Sequence, residues 1–396
     1  KPEDTEPFAR RARAVITRMG EPSDLAGDLH EVLGARSYVL GNWPDALEHA
    51  EQELELRVAA FGEGTLQSAE ARARLAAVLT NLDRGEEAEI HLEQALSDAE
   101  VWLGVGHPRL AGMLNAHGLN QKSRGQYAEA HRTHLRALDI LERALGPDNP
   151  ALEPALTNLG NASMHLGLLQ EAEQHHRRAI RLKEKLYGDE HPQVALGLNN
   201  LANVMIQSKR WDEAVELHQR ALSIRERSLQ KGDRMIGMSL TNLGDALAGA
   251  GRHAEAIEQY QLSVENLEQA LGPDHSWLAY PLTGLANAYL LEKKPDLAVA
   301  PAERALSIRD KPGLAEDLAA ETRFTLARAL FEAGKDKTRA LSLAKEARTV
   351  FVAAGEPKKQ YLAELDEWLA NVERKTLGAT ASGLQTSLGG GGLGRK

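Results

Sequence analysis

Residues 156–180 read LTNLGNASMHLGLLQEAEQHHRRAI, and this stretch recurs along the chain at a constant interval. An alanine marks each copy and is found every 42 residues, at positions 46, 88, 130, 172, 214, 256, 298 and 340. Self-similarity at a fixed period of this size is typical of solenoid proteins, in which each unit packs only against its neighbours. The sequence therefore predicts eight stacked units instead of two or three globular domains.

Each unit contains two predicted helices. In the first helix, apolar residues recur at three- and four-residue spacing, as at Leu198, Leu201 and Met205. The second helix holds the recurring alanine and another small residue seven positions later, on the same face two turns further along. These second small residues are Ala95, Ala137, Ala179, Ala221, Ser263, Ala305 and Ala347. Small side chains at both positions allow the paired helices to approach closely, so we expect an all-α fold.

The linkers between units are regular and read GVGHP, GPDNP, GDEHP and GPDHS. Glycine at 104, 146, 188 and 272 suits a helix C-cap, where φ is positive. Proline at 108, 150 and 192 cannot continue the preceding helix and suits the first turn of the next. Three linker histidines, His107, His191 and His275, are predicted to be polar groups that stabilise the turns.

The repeated motifs resemble the tetratricopeptide repeat in its 42-residue form, similar to the repeats of kinesin light chains. The resemblance is carried by LTNLGN (156–161), LNNLAN (198–203), YAEAHRTHLRALDI (127–140), WDEAVELHQRALSI (211–224) and the LGPDNP linker. It covers about 335 residues and implies a right-handed superhelix of about eight helix-turn-helix repeats with capping helices. The amino-terminal heptad segment of kinesin light chains is absent. The repeats also resemble those of bacterial multidomain signalling proteins, including some serine/threonine kinases.

Four segments are expected along the chain. Residues 1–24 are predicted to be a lead-in helix or connector, 25–360 the eight repeats, 361–375 a capping helix and 376–396 a flexible tail. Pro301 falls inside the second helix of the seventh repeat and is expected to kink it. The tail is rich in glycine and lacks aromatic and acidic residues, which is typical of a segment that is disordered alone. Three roles for it remain open: an inert linker, a modifiable signalling tail, or a ligand for a groove.

A row of asparagines is the strongest candidate for a functional site. One repeat position holds Asn158, Asn200 and Asn242, and a second position three residues later holds Asn161, Asn203, Asp245 and Asn287. Residues three apart share one helix face. The resemblance implies that this face lines a concave groove that binds peptide.

The chemistry of these side chains suits that role. An amide offers one acceptor and two donors, so it can pair with the N–H and C=O groups of an extended peptide. Asp245 adds a preference for a donor or a cation. Gln207 and His165 are further groove candidates by repeat position, as are the weaker candidates Thr157, Asn199, Thr241 and Thr283. The alternative interpretation is that the asparagines satisfy neighbouring helix backbone groups and bind nothing.

The histidine row at 134, 176 and 218, continued by Tyr260, invites a metal hypothesis. Equivalent atoms in adjacent repeats are separated by about a helix-pair spacing, on the order of 10 Å. Zinc ligands lie ~2 Å from the ion, so neighbouring repeats cannot share one through this row. We therefore predict that these histidines pack between helices, and we predict neither a metal site nor a cofactor.

Composition narrows the functional classes. The net charge of −10 and pI of about 5.8 disfavour nucleic acid as a partner. The absence of cysteine excludes disulfides and thiolate metal sites and fits a reducing compartment, so a cytoplasmic protein is expected. No apolar run approaches the ~20 residues of a membrane helix, and no signal peptide is present. Since the first residue is Lys1, we expect a piece of a longer chain.

No phosphate loop, nucleophile elbow or kinase signature is found, so the sequence favours a non-catalytic scaffold or sensor that captures an extended peptide. The expected partner is a protein or peptide, with the chain's own tail as one candidate. The first alternative is a structural module that self-associates through its ends or tail. The second is the regulatory portion of a larger signalling enzyme, such as a serine/threonine kinase. The sequence defines neither the ligand nor the oligomeric state.

Overall fold

The structure, a computed structural model, describes the backbone of residues 6–20, 22–311 and 313–388, and the side chains of residues 10–374 within those ranges. In this part of the chain all regular structure is helical. The helices group into two compact units, residues 1–208 and 209–396, and each is described by itself. An all-α helical-repeat fold is therefore confirmed.

Unit 1 contains ten α-helices in its described residues. They are α1 (Glu6–Arg18), α2 (Ser23–Leu40), α3 (Trp43–Phe61), α4 (Leu66–Asn81), α5 (Gly85–Leu103), α6 (Leu110–Ser123), α7 (Tyr127–Leu145), α8 (Glu153–His165), α9 (Leu169–Tyr187) and α10 (Pro192–Gln207). Helix α8 is preceded by a 3-10 turn at Pro150–Leu152.

Unit 2 contains eight α-helices in its described residues. They are α11 (Trp211–Ser228), α12 (Arg234–Gly249), α13 (His253–Leu271), α14 (Ala279–Leu291), α15 (Pro295–Arg309), α16 (Glu316–Glu332), α17 (Lys337–Ala354) and α18 (Lys359–Leu388). Across both units, the even-numbered helices α2–α16 are the first helices of the eight repeats, and the odd-numbered helices α3–α17 are the second helices.

The small residues of the second helices are buried as predicted. All eight recurring alanines, from Ala46 to Ala340, have no exposed surface, and the second set has at most 1%. Larger side chains from the first helices, such as Leu156 and Leu198, fill the adjoining space. Close packing of this kind makes each joint sensitive to added volume.

Neighbouring repeats contact each other differently on their two sides. First helices meet directly, α4 with α6, α6 with α8 and α8 with α10 in unit 1, and α12 with α14 and α14 with α16 in unit 2. No comparable contact joins consecutive second helices in the described ranges. The first helices therefore lie on the inner side of the curvature within each unit.

Arginine side chains connect the second helices of consecutive repeats. Arg136 donates to Glu100 (2.6 Å) and to the backbone carbonyl of Val105 (3.1 Å). The same pairing, 36 residues apart, joins Arg178 to Glu142 and Arg304 to Glu268. These arginines bridge the outer side, where the described second helices contact each other less than the first helices do.

The linkers end one helix and begin the next as predicted. Gly104, Gly146, Gly188 and Gly272 follow the helices with φ between 81° and 86°. The Nδ1 atoms of His107, His191 and His275 each accept a hydrogen bond from the backbone N–H two residues later, at 3.2 Å. The predicted turn-stabilising role of these histidines is thus confirmed, and His191 and His275 act as helix N-caps.

The predicted tail differs in its described part from the sequence-based expectation, whereas α1 lies within the predicted lead-in segment. Helix α1 begins at Glu6, and α18 extends from the predicted capping helix through Leu388. Residues 376–388 of the predicted tail are therefore helical, and residues 389–396 lie outside the described residues. Helix α15 continues through Pro301, with 15 residues. Among the described helices, none has both the length and the apolar character of a membrane span.

Candidate functional site

The predicted amides of unit 1 lie on α8 and α10, on the inner side of the curvature. Asn158, Asn161 and Asn200 are half-buried, and Asn203 is exposed. Nδ2 of Asn158 donates to Oδ1 of Asn115 on α6, at 2.6 Å, so this amide links two first helices. The amides of Asn161, Asn200 and Asn203 have no hydrogen-bond partner among the described residues.

The corresponding residues of unit 2 lie on α12 and α14. Asn242, half-buried, also has no hydrogen-bond partner among the residues described. Oδ1 of Asn287 accepts from the hydroxyl of Thr325 on α16, at 3.2 Å. The amide row therefore contains both amides that connect repeats and amides that remain available.

This bonding pattern bears on the alternative interpretation of the row. An asparagine that satisfies its own helix bonds to backbone groups, as Asn81 does by donating to the carbonyl of Ala77 (2.8 Å) in addition to the hydroxyl of Tyr38 (2.9 Å). In the described part of the chain, none of the predicted amides makes such a bond. Asparagine is a mediocre helix former, so helix stability does not explain why asparagine occurs in the middle of these helices.

Asp245 occupies the amide position of the sixth repeat and is held by a tyrosine. The hydroxyl of Tyr260 donates to its Oδ1 at 2.7 Å. The carboxylate is accessible to solvent, yet the surrounding helices crowd it, as expected on the floor of a concave surface. This desolvation raises the pKa of Asp245 to about 6, although the hydrogen bond from Tyr260 acts in the opposite direction.

The same tyrosine explains why the amide row is interrupted in the seventh repeat. Gly284 stands where a continued row would place asparagine, and a Cβ built there would lie 2.5 Å from the Tyr260 ring. Gly244 faces the ring from α12 with the same lack of space, at 2.6 Å. A large aromatic residue on α13 thus requires glycine on both adjoining first helices.

His165 and Gln207, the remaining predicted site residues, are both exposed at the carboxyl ends of α8 and α10. The ring of His165 stacks on Tyr127, with centroids 4.4 Å apart and an interplanar angle of 11°. Desolvation and the nearby positive charge of Lys122 lower the pKa of His165. Stacking orients this imidazole, whereas Gln207 has no bonded neighbour among the described residues.

The weaker candidates one position before the asparagines are mostly engaged in the helix joints. Asn199 and Thr241 are buried, at 6% and 7% exposure. The Thr241 hydroxyl bonds to the carbonyl of Gly237 (3.2 Å) and to Ser263 (2.7 Å). Assignment of these two residues to the groove surface was therefore wrong, because this position turns towards the paired second helix.

An open cavity of about 580 Å³ lies between the inner faces of α2, α4 and α6 in unit 1. Arg74, Ala77, Ala116 and Leu119, which occupy the two amide positions in the second and third repeats, line it. A second cavity, of about 210 Å³, lies between α14, α16 and α18 in unit 2 and includes Asn287. In both units, then, the repeat positions of the amides face open space.

The buried histidine row confirms the packing prediction. His134, His176 and His218 are at most 1% exposed, and Tyr260, which continues the row, is 2% exposed. A Cβ at Gly118 would lie 2.5 Å from the His134 ring, so this row also depends on glycine opposite it. Desolvation by burial is the main cause that lowers the pKa of all three histidines, to about 4.

A buried ion-pair network at the amino-terminal end was not anticipated. Glu53, only 1% exposed, accepts hydrogen bonds from Nε of Arg74 at 3.1 Å and from Nη2 of Arg74 at 2.5 Å. Arg57 on the same helix pairs with Asp28 (2.7 Å) and Glu31 (3.0 Å). Burial raises the pKa of Glu53, although Arg74 acts to lower it. In the sequence, this network could have been indicated by Arg74, which occupies the repeat position of Asn158 and Asn200.

These features define an α-helical repeat protein whose first helices line an inner surface. A family model for the tetratricopeptide repeat matches residues 67–143, 151–227 and 235–311, more than half of the chain. The chain belongs to the tetratricopeptide repeat family. Such repeats generally form non-catalytic scaffolds for protein–protein interaction.

Solved structures with the same fold are numerous, whereas no curated protein matches the chain. The apo form of RapI shares 15% identity, with a TM-score of 0.64 over 81% of this chain and 84% of that chain. A Pyrococcus horikoshii signal transduction ATPase with a tetratricopeptide repeat sensor shares 15% identity, with a TM-score of 0.65; it covers 90% of this chain and 51% of that one. Repeats of a putative kinesin light chain from Podosopora anserina share 23% identity, with a TM-score of 0.47 over 53% of this chain and 99% of that chain. At these identities the likeness concerns the fold alone.

Proposed function

We propose that this protein is a non-catalytic scaffold or sensor that captures an extended peptide along the inner surface of its first helices. The observation that carries the proposal is the set of accessible, unbonded amides at Asn161, Asn200 and Asn203 in unit 1. Each can donate and accept at once, as the backbone of an extended peptide requires. Asn242 offers the same contacts within unit 2, whereas the carboxylate of Asp245 only accepts hydrogen bonds.

The proposal is tested by removing these amides. A phage-displayed library of random peptides is selected on the full chain, and enriched peptides are titrated against a triple variant, Asn161→Ala, Asn200→Ala and Asn203→Ala. A neutral hydrogen bond contributes about 1 kcal/mol net, so losing three amides should weaken binding on the order of 100-fold. The matched control replaces Gln94, Gln219 and Asn371, exposed amides on α5, α11 and α18, with alanine.

Helix content by circular dichroism should be the same in wild type, variant and control. Equal affinity of the peptides for the triple variant and the wild type removes the groove hypothesis. A loss of affinity in the control of the same size does so as well, because binding would then not depend on the inner surface.

Self-association is the second candidate, and one surface favours it. A cleft of about 590 Å³ between α1 and α2 is lined largely by apolar side chains, and Val15, Met19 and Val32 are each more than half exposed there. Apolar surface of this kind often marks an interaction site. Light scattering on the chain with and without residues 376–396 tests this candidate. Oligomers that require residues 376–396 indicate contact through the tail, and oligomers that form without them indicate contact through the ends. A monomer in both cases excludes self-association.

The third candidate is the regulatory portion of a larger signalling enzyme. Its support is the fold likeness to a signal transduction ATPase with a tetratricopeptide repeat sensor, which this chain matches over about half of that protein's length. Sequencing the complete open reading frame tests it, since a catalytic domain in the same chain is the expected result.

A further inference from the structure

In the third, fourth and fifth repeats, charged residues are concentrated on the second helices. Helix α10 has 16 residues and none is Asp, Glu, Lys or Arg, whereas α9 has eight such residues among 19. Helix α8 contains only Glu153 and α6 only Lys122. For a chain with 26% charged residues, three consecutive first helices with two charges between them form a distinct surface.

The two exceptions leave the inner surface almost uncharged. Glu153 pairs with Nζ of Lys183 at 2.6 Å, and Lys183 is 4% exposed. This ion pair therefore lies at the joint between α8 and α9. Lys122 is half-buried and has no ion-pair partner among the described residues. The inner face of α6, α8 and α10 thus presents one cation and no anion.

The same face is rich in hydrogen-bonding groups. Asn161, Asn200 and Asn203 are accessible and unbonded within the described residues, and each offers two donors and one acceptor. A charged ligand side chain laid against these amides of α8 and α10 loses water, and the amides supply no full counter-charge, which costs about tenfold in affinity or more. An uncharged segment avoids this cost and keeps every backbone hydrogen bond.

Charge reappears towards the amino-terminal end of the inner surface, but there it is internally paired. Arg109 on the linker before α6 pairs with Glu70 on α4 at 2.5 Å, and Arg74 pairs with the buried Glu53. These groups satisfy each other across neighbouring repeats. They do not offer a ligand an uncompensated charge.

We propose that the inner face of α6, α8 and α10 selects extended peptide segments that contain no charged residues. This inference rests on the proposed function and names the class of partner. Selection works through repulsion of charged segments as well as attraction of neutral ones. Binding is therefore insensitive to ionic strength, unlike binding to a charged groove.

The peptide selection on the full chain tests the inference directly. Peptides enriched on the wild type should be depleted in Asp, Glu, Lys and Arg relative to the unselected library. Their dissociation constants should change less than twofold between about 50 mM and about 500 mM salt. Inserting either a glutamate or a lysine at the centre of an enriched peptide should weaken its binding about tenfold or more.

A charge introduced into the surface should redirect the selection. Asn203→Lys, at an exposed and unbonded position, is expected to enrich acidic peptides, whereas the matched control Gln219→Lys on the second helix α11 should leave the enriched set unchanged. Charged peptides enriched on the wild type, or affinities that fall about tenfold in high salt, overturn the inference and leave peptide capture standing. No enrichment on the wild type, or peptides indifferent to the triple amide variant, overturns peptide capture and the inference with it.

Discussion

The buried histidine row should make the protein lose stability in mild acid. His134, His176 and His218 are at most 1% exposed and have pKa values of about 4 because burial disfavours the charged imidazolium. In the unfolded chain the ordinary value is about 6.5. Between these values the unfolded state binds more protons than the folded state, so stability falls as the pH decreases.

The size of the effect follows from the shift. One pKa unit corresponds to about 1.4 kcal/mol, so a shift from about 6.5 to about 4 gives about 3 kcal/mol for each histidine below pH 4. Between about pH 7.5 and about pH 5, each contributes about 2 kcal/mol, and the three together about 6 kcal/mol. Asp245 acts in the opposite direction, because its raised pKa favours the protonated form in the folded chain.

The assay is urea unfolding followed by circular dichroism at both pH values, for wild type and for a variant with methionine at all three positions. Methionine fills irregular space without titrating. The free energy of unfolding of the methionine variant should therefore differ much less between the two pH values than that of the wild type. The matched control is His107→Asn, because Asn149 caps the equivalent linker by accepting from the N–H of Ala151. An undiminished pH dependence in the methionine variant would falsify the assignment.

Three further predictions concern the packing of the repeats, each measured as the free energy of unfolding in urea at neutral pH. Ala172→Leu should cost about 1–3 kcal/mol, because this alanine has no exposed surface and the added volume overpacks the helix joint; an unchanged stability contradicts the close approach. Gly118→Ala should cost about 1–3 kcal/mol, since its Cβ would lie 2.5 Å from the His134 ring, and replacing His134 with alanine in the same chain should reduce that cost. Glu53→Ala should cost about 1–3 kcal/mol, because it removes the buried acceptor of Arg74, which is partly exposed and keeps Glu31 at 3.4 Å; the double variant with Arg74→Ala should be less affected than the sum of the single variants.

Much of the fold could be predicted because the repeat fixes the environment of each position. A residue that recurs every 42 positions meets the same neighbours each time, as the fully buried alanines at 172 and 214 do. The linker histidines follow the same logic, since the Nδ1 atom of each accepts a hydrogen bond from the backbone N–H two residues later. The period therefore predicts where these side chains lie, because their surroundings are formed largely by backbone groups that recur in every repeat.

The state of the candidate site could not be predicted in this way, because it depends on side chains in the neighbouring repeats. Asn158 is bonded because Asn115 stands one repeat away, while Asn200, at the equivalent position of the next repeat, has no bonded partner among the described residues. Gly284 interrupts the row because Tyr260 needs the space. In both cases the result depends on two residues at different positions of the repeat, so the 42-residue period does not predict it.

The segregation of charge connects the stability of the solenoid with its proposed role as a binding surface. On the outer side, consecutive second helices in the described ranges contact each other less than first helices do, and arginines such as Arg136 reach both a glutamate and a linker carbonyl of the preceding repeat. Exposed ion pairs of this kind contribute little one by one, but they recur along the chain and keep charge on the side that faces solvent. On the inner side, first helices touch directly and need no such bridges, so their exposed positions are free to carry neutral amides. A surface used for recognition can therefore vary there without weakening the contacts between repeats.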